Sequence, residues 1–192
     1  MSEVLVGSTL PQFTDDRDRF IAGVVRAERA GLDSIWVFDH MWPLTGKKSR
    51  PVLECWTTLA WIAAETENIK IGTLVTRSSL RHPAVLAKMA ATVAEIAPGR
   101  LIMAIGSGDH MSRDENEAFG IPYWDGEERI RQLASTVEVV ADFFQWGRVS
   151  RSDDFVDITD LPPSPQPASA PLIWVGGRSD DVIDVAARRA DG

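Results

Sequence analysis

Asp39 and His40 stand side by side directly after the apolar run Ile35-Trp36-Val37-Phe38, and Trp42 follows two positions later. An imidazole can act as general acid or base near neutral pH, and an adjacent carboxylate can fix its tautomer. A strand-terminal Asp that only caps its loop, beside a His that is only hydrogen-bonded, is the plainer alternative. Trp42 offers either a cation–π wall for a cationic intermediate or packing bulk under the loop, and packing is the commoner use of an indole.

Three further stretches place chemistry at similar positions. Ile71-Gly72-Thr73-Leu74-Val75-Thr76 carries a glycine inside an apolar run, a sign of a bulge or of a close approach by ligand or backbone. Arg77 and Arg81-His82-Pro83 come next, and with Lys47, Lys48 and Arg50 they put five cations and no acid into positions 41–50 and 76–82. In a chain of net charge −8 this clustering marks either a polyanionic ligand over the sheet or a solvated loop. Ile105-Gly106-Ser107-Gly108-Asp109 and Val175-Gly176-Gly177-Arg178-Ser179 place glycines where backbone N–H groups could approach a phosphate without an intervening Cβ. Gly106 and Gly108 lack the third glycine of a dinucleotide fingerprint and follow the fourth apolar run, so a nicotinamide site is set aside. Asp109 is a second candidate acid/base carboxylate, or an N-cap. His82 precedes a proline and is expected to be extended at a helix entrance. With one cysteine, Cys55, and no metal-type His spacing, no metal site is proposed.

The elements that must position these residues read as alternating strands and helices. Apolar runs at Val4 to Val6, Ser34 to Phe38, Ile69 to Val75, Leu101 to Ile105 and Leu172 to Val175 predict five strands, the first four starting about 30 to 35 residues apart. Helical spacing predicts crossovers at Arg17 to Ala30, Leu53 to Glu65 and Pro83 to Ile96, the last opened by its proline and closed before Pro98-Gly99. Alternation of this kind means a parallel sheet, whose chemistry lies at the carboxyl ends of its strands. A short helix near Asp114 to Phe119, a long one from Gly126 to Phe144 and a β-tending insertion at Gly147 to Asp160 precede the fifth strand. Leu161 to Pro171 holds five prolines in eleven residues and is expected to be an extended surface connection. After a helix at Ser179 to Arg189 the sequence stops where another strand is expected. Five βα units do not close a barrel of eight, so residues 1–192 are read as one domain, the front part of a longer barrel, with 147–171 as insertion and connection.

Composition narrows the partners. A chain of 192 residues, 44% hydrophobic, is sized for one substantial core. Its acidity argues against nucleic acid and acidic membranes. No leader-like amino terminus and no run near ~18 apolar residues is found, and a cytoplasmic location is expected.

Taken in order and spacing, four motifs resemble the luciferase-like monooxygenase superfamily, in particular its deazaflavin (coenzyme F420)-dependent oxidoreductases. They are Trp36-Val37-Phe38-Asp39-His40, Ile71 to Thr76 with Arg81-His82-Pro83, Pro98-Gly99-Arg100-Leu101 leading to Gly106-Ser107-Gly108, and Trp174-Val175-Gly176-Gly177. The resemblance implies an eight-stranded (β/α) TIM barrel, of which this chain looks like the first five units. It implies that Asp39 contacts the deazaflavin, that His40 is the acid/base, and that Thr73, Leu74 and Val75 back the ring across a non-prolyl cis peptide at Leu74-Val75. It also implies that Ser107, Gly108, Gly176 and Gly177 hold the cofactor phosphate. Trp42 and Asp109 approximately match an aromatic and a glutamate of the sugar-phosphate dehydrogenase branch, with Asp in place of Glu. The implied activity is hydride transfer between F420 and a small-molecule substrate, in a protein that is a homodimer at full length. An FMN-dependent monooxygenase of the same superfamily is the sibling alternative, and a non-catalytic flavin-binding or inactive truncated barrel is the alternative of another class.

Overall fold

A computed structural model describes residues 4–10, 12–43, 45–145 and 147–192. The elements run β1 (Gly7–Thr9), α1 (Arg17–Arg29), β2 (Ser34–Val37), α2 (Cys55–Glu65), β3 (Lys70–Thr73), β4 (Thr76–Arg77) and α3 (Pro83–Ile96). They continue with β5 (Leu101–Gly106), α4 (Arg113–Ala118), α5 (Gly126–Gln145), β6 (Val149–Ser152), β7 (Asp157–Leu161), β8 (Leu172–Gly176) and α6 (Asp180–Arg189). Local chemistry sets the helix starts. The Asp16 carboxylate accepts the Arg19 N–H at 2.9 Å, the Glu54 carboxylate accepts the N–H groups of Trp56 and Thr57, and Pro83 occupies the first turn of α3. α1 stops at Gly31, whose φ of 78° favours a residue without a Cβ.

β1, β2, β3, β5 and β8 form one parallel sheet in that order, and β4 carries the β3 strand onward past Leu74-Val75 to pair again with β5. The Leu74-Val75 peptide is cis, as the resemblance implies. This is a five-unit arc of the (β/α) TIM barrel. Alternation sorts the strand residues onto two faces. Ile35, Val37, Ile71, Met103 and Ile105 are 0% exposed and belong to the core shared with the helices. Each such side chain contributes roughly 1.5–3 kcal/mol by leaving water. Trp36, Gly72, Ile102 and Leu172 are successive register partners across the other, inner face. There an open groove of about 830 Å³ is lined by Trp36, Leu74, Ile102, Leu172 and Trp174, with the rings of Trp36 and Trp174 stacked at 5.4 Å. Gly72 is where that stack sits: a Cβ there would lie 2.6 Å from the Trp36 ring and 2.7 Å from the Ile102 carbonyl oxygen. The close approach foreseen at this glycine is made by the protein itself.

The first strand differs from expectation. Val4, Leu5 and Val6 are 82%, 73% and 57% exposed, and the ladder runs over Gly7–Thr9 instead. Apolar composition pointed to the valines, but Gly7 is the residue that lets β1 approach β2, since a Cβ there would meet Ser34 Oγ at 2.3 Å. The β-tending insertion is an antiparallel hairpin, β6 with β7, tied to α5 where Ser135 donates to Asp153 at 2.8 Å. Beyond α6, Asp191 N–H donates to Ile173 O at 2.7 Å and Val175 N–H donates to Gly192 O at 2.9 Å, so the last residues lie alongside β8. Among the described residues no helix is long and apolar enough to cross a membrane.

Candidate functional site

The carboxyl end of β2 is held by a side chain acting as a strand. Gln12, 0% exposed, donates to Phe38 O at 2.7 Å and to Leu53 O at 2.8 Å, and its Oε1 accepts the Phe38 N–H at 2.6 Å. Asp39 comes next and is 1% exposed. Its two oxygens accept a fork from Arg81 at 2.7 and 2.9 Å, and Oδ2 also accepts the Arg77 N–H at 2.9 Å. Arg81 reaches on to the Glu54 carboxylate that caps α2. Burial works against the charge on the Arg81 guanidinium, but its hydrogen bonds to Asp39 and the charges of Asp39 and Glu54 raise its pKa above the ordinary arginine value, so it stays a cation.

His40 is half-buried, with 19% of its side chain exposed, and Nδ1 lies 3.3 Å from Oε2 of Glu115. Glu115, on α4, is 1% exposed. Its Oε1 accepts the N–H groups of Met41 and, at 2.9 Å, of Trp42. Its Oε2 also forms an ion pair with Arg77 Nη2 at 2.5 Å. Burial pushes the Glu115 carboxyl up, but the His40 bond, the Arg77 charge and the Met41 N–H together hold it below the ordinary glutamate range. It is a carboxylate, able only to accept.

Three of the five cations of the two loops are already paired within the chain. Arg77 and Arg81, 3% and 10% exposed at the side chain, are spent on buried carboxylates. Lys48 pairs with Asp114 at 3.1 Å and lies 4.1 Å over the Trp42 ring. Charge counts along a loop omit partners that arrive from distant helices, as they do here for Lys48, Arg77 and Arg81. Trp42 thus already holds a cation of its own chain, and its ring also packs on Phe119 at 6.4 Å.

The glycines of the two corners admit side chains. A Cβ at Gly106 or Gly176 would meet Val75 at 2.6 or 2.8 Å, and one at Gly177 would meet Val182 at 2.4 Å. Val75 is thereby seated between the ends of β5 and β8, while Leu74 beside it is 44% exposed toward the groove. Thr73 is buried, and its hydroxyl donates to Ala104 O at 2.8 Å. Ser107 is half-buried, and Gly108 has a φ of 72°. Asp109 is exposed, and its Oδ1 caps the single turn His110–Ser112 by accepting the N–H groups of Met111 and Ser112 at 2.9 and 3.1 Å. Asp39, His40, Leu74, Val75, Ser107, Gly108, Gly176 and Gly177 thus lie at the carboxyl end of the sheet, with Asp39 buried against Arg77 and Arg81. Glu115 and Gln12 escaped sequence reasoning. The acidic first turn of α4 was the sole local signal for Glu115.

Among known proteins, the family model for luciferase-like monooxygenase matches residues 3–192. An F420-dependent glucose-6-phosphate dehydrogenase of Kineococcus radiotolerans is 32% identical over 88% of this chain and 49% of its own length. An F420-dependent hydroxymycolic acid dehydrogenase of Mycobacterium tuberculosis is 28% identical over 97% of this chain and 51% of its own. The chain spans about half the length of the curated relatives it matches. In fold it is similar to an F420-dependent secondary alcohol dehydrogenase in complex with an F420-acetone adduct, with a TM-score of 0.88 at 21% identity over 99% of this chain and 57% of that one. A coenzyme F420 dependent tetrahydromethanopterin reductase from Methanopyrus kandleri gives a TM-score of 0.78 at 23% identity, over 100% of this chain and 55% of that one.

Proposed function

Because the chain belongs to the luciferase-like monooxygenase family, we propose that it serves an oxidoreductase moving a hydride between an organic substrate and coenzyme F420, with His40 handling the accompanying proton. The observation that carries this reading is a partly exposed imidazole hydrogen-bonded to a buried carboxylate, at a strand end of a barrel whose relatives are named F420-dependent dehydrogenases. The residues fit a flat ring system. Leu74 offers an exposed apolar ledge, Val75 is braced from behind by Gly106 and Gly176, and the buried Thr76 hydroxyl has no partner among the described residues.

When bound, the deazaflavin supplies the carbon that accepts or returns the hydride. Leu74 and Val75 would provide its floor, with Thr73 anchored beneath them. The N–H groups of Ser107, Gly108, Gly176 and Gly177 are the donors on offer to its phosphate. Asp39 acts through Arg81, fixing the strand end from which His40 projects. For an alcohol substrate, Nε2 of His40 would take the hydroxyl proton as the substrate is oxidised and would return it in the reverse reaction. Trp42 and Asp109 would face the substrate, as the family resemblance implies.

Fluorescence titration of the 192-residue chain with F420 and with FMN tests the assignment. Preferential binding of F420 is expected; preference for FMN, or binding of neither, overturns it. His40→Ala is expected to lower turnover about 100-fold or more with cofactor affinity nearly intact. Unchanged turnover would remove His40 from the proton path.

A further inference from the structure

The acid/base reading of His40 leaves open what holds its ring, and we propose that Glu115 is a positioning residue that keeps the His40 proton on Nδ1 and so leaves Nε2 as the proton acceptor. This rests on the proposed role of His40 but not on the identity of the cofactor. Oε2 of Glu115 lies 3.3 Å from His40 Nδ1, and Oε1 accepts the N–H groups of Met41 and Trp42. One carboxylate therefore grips three successive residues of the loop. It is held in turn by Arg77, 2.5 Å away, whose Nε donates to Asp39 O at 3.1 Å. A carboxylate kept ionised by these partners can only accept, so the bond requires hydrogen on Nδ1 and leaves the Nε2 lone pair free to take a proton.

A loop anchor without influence on the ring would show the same backbone bonds, so the test must read the imidazole. The chain has three histidines, and one is an internal reference: His82 Nδ1 accepts the Ala84 N–H at 3.3 Å and must carry its proton on Nε2. Long-range ¹H–¹⁵N spectra of the neutral protein are expected to show His40 and His82 as opposite tautomers. Glu115→Gln keeps an oxygen for Met41 and Trp42 but turns an amide donor toward Nδ1, so His40 is expected to switch to Nε2–H. Turnover is then expected to fall on the order of 100-fold, in kcat and not in KM. His40 carrying Nε2–H in the unmodified protein, or an unaltered tautomer in a folded Glu115→Gln variant, overturns the proposal. Should that variant fail to fold, the tautomer of the unmodified protein decides alone. Failure to bind F420 with the Nδ1–H tautomer intact would overturn the functional reading and leave this pairing standing.

Discussion

Ile71 and Arg77 lie six positions apart on the same broken strand and are 0% and 3% exposed, yet they are buried among opposite materials. Ile71 sits on the helix-covered face with Ile35, Met103 and Ile105, where shape and lost water contact are the cohesive forces. Arg77 sits at the rim, where Asp39, Glu115, Arg81 and Glu54 exchange charge-assisted bonds. Equal burial hides unequal sensitivity. A hydrocarbon face tolerates acid and salt, whereas each rim charge depends on its partner remaining ionised. The difference suggests a division of labour in which the covered face supplies stability and the rim supplies direction.

The strongest way to break the rim is Arg77→Met, which strands the Glu115 carboxylate in a buried site. A loss of about 3–5 kcal/mol in urea unfolding is expected. A loss below 1 kcal/mol would mean that the rim is not a mutually dependent network. Ile71→Ala probes the covered face, and roughly 2–5 kcal/mol should disappear with its cavity, by an amount indifferent to salt. Acid separates the two regions most cleanly. Burial raises the Glu115 and Glu54 carboxyls, but hydrogen bonds and the Arg77 and Arg81 charges bring both below the ordinary range. Their contribution is therefore complete above the ordinary glutamate value and is lost as pH falls through the folded-state value. Denaturation midpoints should drop across that window in the unmodified protein, while the Ile71→Ala decrement stays constant. A decrement that shrinks with acid would contradict the division. Lys48→Ala should have the smallest effect, within about 1 kcal/mol, because its pair with Asp114 is solvent-exposed. A larger loss in thermal melts would make the lysine part of the rim.

Legibility in the sequence followed the range of the interactions. α3 was readable to its ends because Pro83 opens it and Pro98-Gly99 follows it, all within one stretch of chain. The parallel sheet was readable from alternation, and the cis peptide from the family resemblance. The first strand was misplaced because apolar side chains advertised Val4 to Val6 while the decisive contact was the empty space at Gly7. The pairing of Glu115 with His40 was not readable, since the two lie 75 residues apart and the acidic first turn of α4 says nothing of its partner. The same distance problem turned Arg77 and Arg81 into apparent surface cations. What a loop's charges do is decided by the helices that come to meet them.

Gln12 gives the His40 loop a different thermodynamic standing from an ordinary strand-end loop. Its amide completes the ladder around Phe38 and ties the same point to Leu53, so the backbone just before Asp39 cannot fray without breaking two bonds to a fully buried side chain. Segments that open only by disrupting such contacts share the opening free energy of the body they join. The carboxyl end of β2 that carries His40 is thus tied into the cooperative unit of the sheet, and its amides are expected to exchange with those of the sheet instead of opening on their own.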